Sequence, residues 1–69
     1  MTHPKIYDRI EKRLDTLEEL LKRQAHLSFP DTIRDSLSSL SKFRPYMNDE
    51  QSDFVDGARF ALEERIEWK

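Results

Sequence analysis

The chain has 69 residues, of which 36% are hydrophobic, and a formal net charge of −2 from 12 basic and 14 acidic side chains. A chain this short forms a single domain, and its thin apolar core favours extra support from disulfides, a metal or oligomerisation. Because the chain has no cysteine, disulfides and thiolate metal sites are excluded, which leaves oligomerisation. No secretory signal and no apolar run of roughly 20 residues is visible, so we expect a cytoplasmic protein without a membrane span.

The first predicted helix runs from about residue 4 to about residue 26. Its apolar residues recur at alternating spacings of three and four positions, which is the pattern of a heptad seam. At about 1.5 Å per residue this helix is roughly 35 Å long, which is long for so small a globule. The seam packs either on the chain's own helices or on a second copy, and its length favours a homodimer. This set, named here the helix 1 seam, consists of Tyr7, Ile10, Leu14, Leu17 and Leu21.

Two further helices are predicted over about residues 31–43 and 49–67. Pro45 ends the first of them, because the residue before a proline leaves the helical region. Asn48 opens a capping pattern for the second. Gly57 costs about 1 kcal/mol relative to alanine in a helix interior, which indicates the close approach of another helix. The sequence therefore predicts an all-α fold, either a helical hairpin or a three-helix bundle with a long first helix.

Residues that could carry catalysis or hold a metal are sparse. His3 and His26 are the only histidines, and neither has a carboxylate or a second histidine at the spacing of a helical zinc site. We expect both to be exposed residues at helix ends. The single glycine excludes a phosphate-binding glycine loop, and the serines lack a visible histidine–acid pairing. We therefore expect a protein that is not an enzyme, with no metal and no cofactor.

Nucleic-acid binding is an alternative that the charge pattern does not favour. Projected at about 100° per residue, four basic side chains fall on one outer stripe of the first helix. The neighbouring stripe is acidic, which is typical of a solvated face with ion pairs between residues four positions apart. The third predicted helix carries mostly acidic side chains, which is the wrong sign for a recognition helix. The basic stripe consists of Lys5, Arg9, Lys12 and Arg23.

Aromatic side chains outside the main apolar faces indicate a protein partner. Phe60 projects roughly opposite Phe54 and Ala58 on the third predicted helix, and aromatic residues are enriched at interface hot spots. Tyr46 lies at the corner between the second and third helices, and Trp68 lies next to the C-terminus. Packing within the bundle is the favoured interpretation for each of them, for Trp68 as a lid over the bundle end near Ile66, and contact with a partner is the alternative. The candidate partner contacts are Tyr46, Phe60 and Trp68.

The last third of the chain carries a pattern that covers residues 48–51, Phe54, residues 57–64 and Trp68. This pattern resembles the small helical accessory proteins encoded by tailed phages. The resemblance implies a stoichiometric binder of a host or phage protein in the host cytoplasm, and it implies no functional residue. We therefore predict a non-catalytic regulator or adaptor that binds a protein through helix faces. The alternatives are a self-assembling structural oligomer and a nucleic-acid-binding accessory protein that uses the basic stripe.

Overall fold

The structure, a computed structural model, describes residues 4–69, and every regular element within that range is helical. The all-α prediction is thereby confirmed, and His3 lies outside the described residues. None of the helices in this range is long and apolar enough to cross a membrane. The elements are α1 (Pro4–Lys22), α2 (Ala25–Ser28), α3 (Pro30–Ser41), a 3-10 turn (Arg44–Tyr46) and α4 (Asp49–Glu64).

The first helix is shorter than the sequence predicts, because the chain turns after Lys22. Gln24 adopts a left-handed backbone conformation, with φ 59° and ψ 32°. Residues other than glycine rarely adopt this conformation, so a further interaction must stabilise Gln24 in it. The helix predicted over residues 4–26 is therefore corrected to two helices, α1 with 19 residues and α2 with four.

Local signals in the sequence account for the starts of α3 and α4. The first turn of α3 begins at Pro30, where a missing backbone N–H removes no helical hydrogen bond. The helix ends at Ser41, so the predicted range of 31–43 shifts slightly towards the N-terminus. At the start of α4, the Gln51 N–H donates to Asn48 Oδ1 at 2.8 Å, and the Asn48 N–H donates to Gln51 Oε1 at 3.1 Å. This is the capping box that the sequence predicts.

The last helix ends at Glu64, earlier than the predicted range of 49–67. Arg65 has a left-handed conformation, with φ 54° and ψ 46°, and its N–H donates to the Ala61 carbonyl. Such a residue ends a helix because it satisfies one of the last free carbonyls while turning the chain. Residues 65–69, named here the C-terminal segment, follow the helix and have no regular secondary structure.

The central element is α3, which contacts α1, α2 and α4. The molecule is elongated, with extents of 40 × 18 × 17 Å. All four helices contribute almost completely buried side chains to one core, and each large aliphatic side chain there stabilises the fold by roughly 1.5–3 kcal/mol. The core consists of Leu17, Leu21, Ala25, Ile33, Leu37, Leu40, Val55, Ala58 and Leu62.

The helix 1 seam lies mostly inside the single chain. Ile10, Leu17 and Leu21 are at most 1% exposed, and Leu14 is half-buried against the core. Only Tyr7 is exposed. The chain itself therefore covers most of the seam, and the observation from which we predicted a homodimer does not hold. Self-association stays a prediction without that support.

Gly57 in α4 faces the indole ring of Trp68 rather than a neighbouring helix. A Cβ atom at this position would lie 3.8 Å from both Cη2 and Cζ3 of that ring, which is ordinary van der Waals distance. The close helix approach that the glycine indicated is therefore corrected to contact with an aromatic side chain from the C-terminal segment. The site has room for one methyl group.

We expect Gly57→Ala to raise the free energy of unfolding by about 0.5–1 kcal/mol, because alanine has the better helix propensity and its methyl group fits. Gly57→Leu is the matched control and is expected to destabilise, because its longer side chain needs the space of the indole ring. Urea unfolding followed by circular dichroism measures both. A Gly57→Ala variant less stable than the wild type would contradict this packing.

Candidate functional site

The C-terminal segment is attached to the junction of α1 and α2 through one side-chain amide. The Gln24 Nε2 donates to the Trp68 carbonyl at 3.0 Å, and the Trp68 N–H donates to Gln24 Oε1 at 2.9 Å. One amide thus satisfies both backbone polar groups of Trp68, as a neighbouring strand would. These two hydrogen bonds are the interaction that stabilises the left-handed conformation of Gln24.

His26 attaches the same segment at a second point. Its side chain is 1% exposed, and Nε2 lies 2.5 Å from the Ile66 carbonyl oxygen, so Nε2–H is the donor. Nδ1 is buried and has no hydrogen-bond partner within the described residues. The prediction that His26 is an exposed residue at a helix end is therefore corrected, and the imidazole is a buried structural group between α2 and the C-terminal segment.

The indole ring of Trp68 packs against other residues of the same chain. The indole packs edge-to-face on Phe54 with ring centroids 5.4 Å apart, and it covers Gly57. Of the three predicted partner contacts, this is the one that the structure places in intramolecular packing. Tyr46 and Phe60 are exposed, at 49% and 57%.

Three exposed apolar side chains lie close in the chain to the hydrogen bond between His26 and Ile66. Leu27 follows His26 directly, and Phe29 is the most exposed large hydrophobic residue in the part of the chain that the structure describes, at 64%. The Phe29 N–H donates to the Ala25 carbonyl at 2.6 Å, which holds its backbone against α2. Leu27 and Phe29 are connected to this hydrogen bond along the chain, and Ile66 is connected to it through its own carbonyl. We name these three exposed side chains the apolar end; they are Leu27, Phe29 and Ile66.

A cleft of about 320 Å³ lies between α1 and α3. Two residues of the predicted basic stripe line it, whereas Arg23 lies in the turn after α1 and does not. Lys5 lines an adjoining groove together with Asp8. The structure therefore gathers only part of the basic stripe. The basic cleft is lined by Arg9, Lys12, Arg13, Thr16 and Ser36.

Arg13 connects the two helices beside this cleft. Its Nη1 donates to Ser39 Oγ at 2.8 Å, and its guanidinium lies 5.9 Å from the centroid of the Phe43 ring. A guanidinium that lies over an aromatic ring and is hydrogen-bonded at the same time has fewer accessible orientations than a free one. Its remaining N–H groups can still donate to another acceptor.

The ion pairs of residues 4–69 lie outside the basic cleft. All three are partly exposed and join Glu18 to Lys22, Asp31 to Arg34, and Asp56 to Arg44. Exposed pairs of this kind contribute roughly 0–1 kcal/mol each. Within the same range no three histidine or carboxylate side chains come together in a way that could hold a metal ion.

Sequence reasoning missed three residues of these surfaces. Arg13 follows Arg9 by four positions, so its spacing places it on the same helix face. The predicted basic stripe nevertheless did not include it. Phe29 precedes Pro30 in the predicted connection between the first two helices. A large apolar residue there belongs to no helix face, and this could have indicated that it is exposed. No sequence pattern indicated the role of Gln24, because its hydrogen-bond partner, Trp68, is 44 positions away in the chain.

We expect Gln24→Ala to lower the free energy of unfolding by about 1–3 kcal/mol, because it removes two hydrogen bonds and keeps a side chain in the left-handed region. Gln24→Gly loses the same bonds without that backbone penalty, so it should be less destabilised by about 1 kcal/mol. Urea unfolding and the emission of the single tryptophan measure both effects. Wild-type stability and unchanged emission in Gln24→Ala would show that the amide does not hold the segment.

Comparisons with known proteins and structures find no match. No family model matches the chain, and no curated protein or solved structure is significantly similar to it. The surfaces described above are therefore the basis for assigning a function.

Proposed function

We propose that this chain is a non-catalytic binding protein, a small regulator or adaptor that recognises another protein through its helix surfaces. The apolar end is the observation that carries this proposal. Its three side chains are each more than 40% exposed, in a chain short of apolar residues for its own core. A single exposed hydrophobic residue is ordinary, but three of them attached to the same hydrogen-bonded junction of α2 and the C-terminal segment support an interaction surface there.

The apolar end is also held in place before any partner arrives. His26 fixes the backbone of Ile66, and the Ala25 carbonyl fixes that of Phe29. A surface with an ordered backbone loses less conformational entropy on binding, which favours affinity. Large apolar side chains on such a surface are suited to fill pockets in a partner.

Phe60 supports the same proposal from α4. The neighbouring residues Ala61 and Leu62 are buried in the core, whereas the Phe60 ring is directed to the outside. Tyr46, in the 3-10 turn, is the other exposed aromatic among the predicted contacts. We propose these two side chains as secondary contacts with the partner.

The resemblance to tailed-phage accessory proteins agrees with this function. On that basis we propose that the chain acts in the cytoplasm, which is the host cytoplasm if it is phage-encoded, by binding and modulating a host protein. A second copy of the chain is the alternative occupant of the apolar end, and would make the protein a structural oligomer.

We expect affinity capture from the native cell lysate to recover one main partner protein. Leu27→Ser/Phe29→Ser should reduce its recovery by at least about tenfold, because large anchors at an interface centre each contribute about 2 kcal/mol or more. Tyr7→Ser is the matched control, since it removes an exposed aromatic near the start of α1 and should leave recovery unchanged. Mass spectrometry quantifies the captured protein, and circular dichroism checks that each variant is folded.

Equal recovery by the wild type and the double variant would contradict the role of the apolar end. Light scattering over a range of concentrations distinguishes binding of a different protein from binding of a second copy of the chain. A heterologous binder keeps the monomer mass of 8.3 kDa when purified. A larger mass that returns to 8.3 kDa in Leu27→Ser/Phe29→Ser would assign the apolar end to self-association instead.

A further inference from the structure

We propose that the basic cleft binds the phosphate monoester group of a small molecule, a ligand separate from the protein partner. Arg9, Lys12 and Arg13 bring three positive charges to this cleft. Within residues 4–69 none of the three forms an ion pair, although the chain carries 14 acidic side chains. Asp8 shares the adjoining groove with Arg9 and Lys12 but forms an ion pair with neither, so the cleft keeps a net positive charge that attracts an external anion.

The hydrogen-bond donors of the cleft are partly ordered in advance. Arg13 is oriented by its bond to Ser39 and by its position over the Phe43 ring, so less conformational freedom is lost when its other N–H groups bind an anion. Thr16 and Ser36 add hydroxyl donors from the two helices that form the walls. Four of the five lining residues thus lie on α1, and Ser36 adds one donor from α3.

The charge of the cleft fits a phosphate monoester better than a carboxylate. A phosphate monoester carries about −1.5 to −2 charges at neutral pH and has three strong acceptor oxygens. A carboxylate carries one charge on two oxygens, so it would leave two of the three cations unneutralised. Arginine side chains are also well suited to bind phosphate through two parallel hydrogen bonds.

The size and surroundings of the cleft favour a small molecule over a nucleic acid. Its volume of about 320 Å³ lies at the lower end of the range for small-ligand sites. The basic side chains from Lys5 to Arg13 extend over only about 12 Å of helix, which matches few phosphates of a nucleic-acid strand. Asp8 lines the adjoining groove and would repel a longer polyanion.

The test is an NMR titration of the 15N-labelled full chain with phenyl phosphate at constant ionic strength. We expect saturable shifts concentrated at residues 9–16 and at Ser36. Arg9→Gln/Arg13→Gln should weaken binding by at least about tenfold, since two charge-assisted contacts are lost. The matched control is Arg34→Gln/Arg59→Gln, which removes the same charge from a different groove and should bind like the wild type.

Lys12→Gln keeps the contacts of Arg13 with Ser39 and Phe43 intact, and it should also weaken binding measurably. It therefore tests the site even if the double variant is unfolded. Shifts that do not saturate, or equal weakening in the cleft and control variants, would overturn the proposal. Benzoate bound as tightly as phenyl phosphate would overturn the phosphate assignment. Tighter, steeply salt-dependent binding of a single-stranded DNA 12-mer would assign the cleft to nucleic acid.

Discussion

The paired hydrogen bonds between the Gln24 amide and the backbone of Trp68 connect the two ends of this fold. They stabilise the left-handed turn that ends α1, so that α2 folds back onto α3. They also bring the C-terminal segment against α4, where the indole ring packs on Phe54 and covers Gly57. With the His26 bond to the Ile66 carbonyl, they fix the backbone around the apolar end. The proposed interaction surface therefore depends on contacts within the chain.

Local patterns in the sequence were enough to predict the class of fold and several helix ends. The capping box of Asn48 and the position of Pro30 depend only on neighbouring residues, so reasoning from the sequence could find them. The ends of α1 and α4 could not be found in this way. Each is followed within two residues by a non-glycine residue in the left-handed region, Gln24 after α1 and Arg65 after α4. For Gln24 the interaction that stabilises this conformation comes from the other end of the chain.

The candidate surfaces were predictable only in part, and for a similar reason. A heptad seam shows that a helix face is buried, but the pattern is the same whether the covering helix belongs to the same chain or to another. The seam at Leu17 and Leu21 is covered by the chain itself. Trp68 and Phe60 gave the same signal in the sequence, but one ring packs internally and the other is exposed. The basic cleft needs Ser36 from α3, which no helical projection of α1 contains.

The C-terminal segment is an ordered part of the fold, and amide hydrogen exchange of Trp68 reports on that order at a single atom. The Trp68 N–H lies outside every helix, so its only route to protection among residues 4–69 is the bond to Gln24 Oε1. We predict that this amide exchanges far more slowly than the same amide in an unstructured peptide, and that Gln24→Ala abolishes the protection. Exchange of the wild-type amide at the rate of an unstructured peptide would show that Gln24 does not hold the C-terminal segment in place.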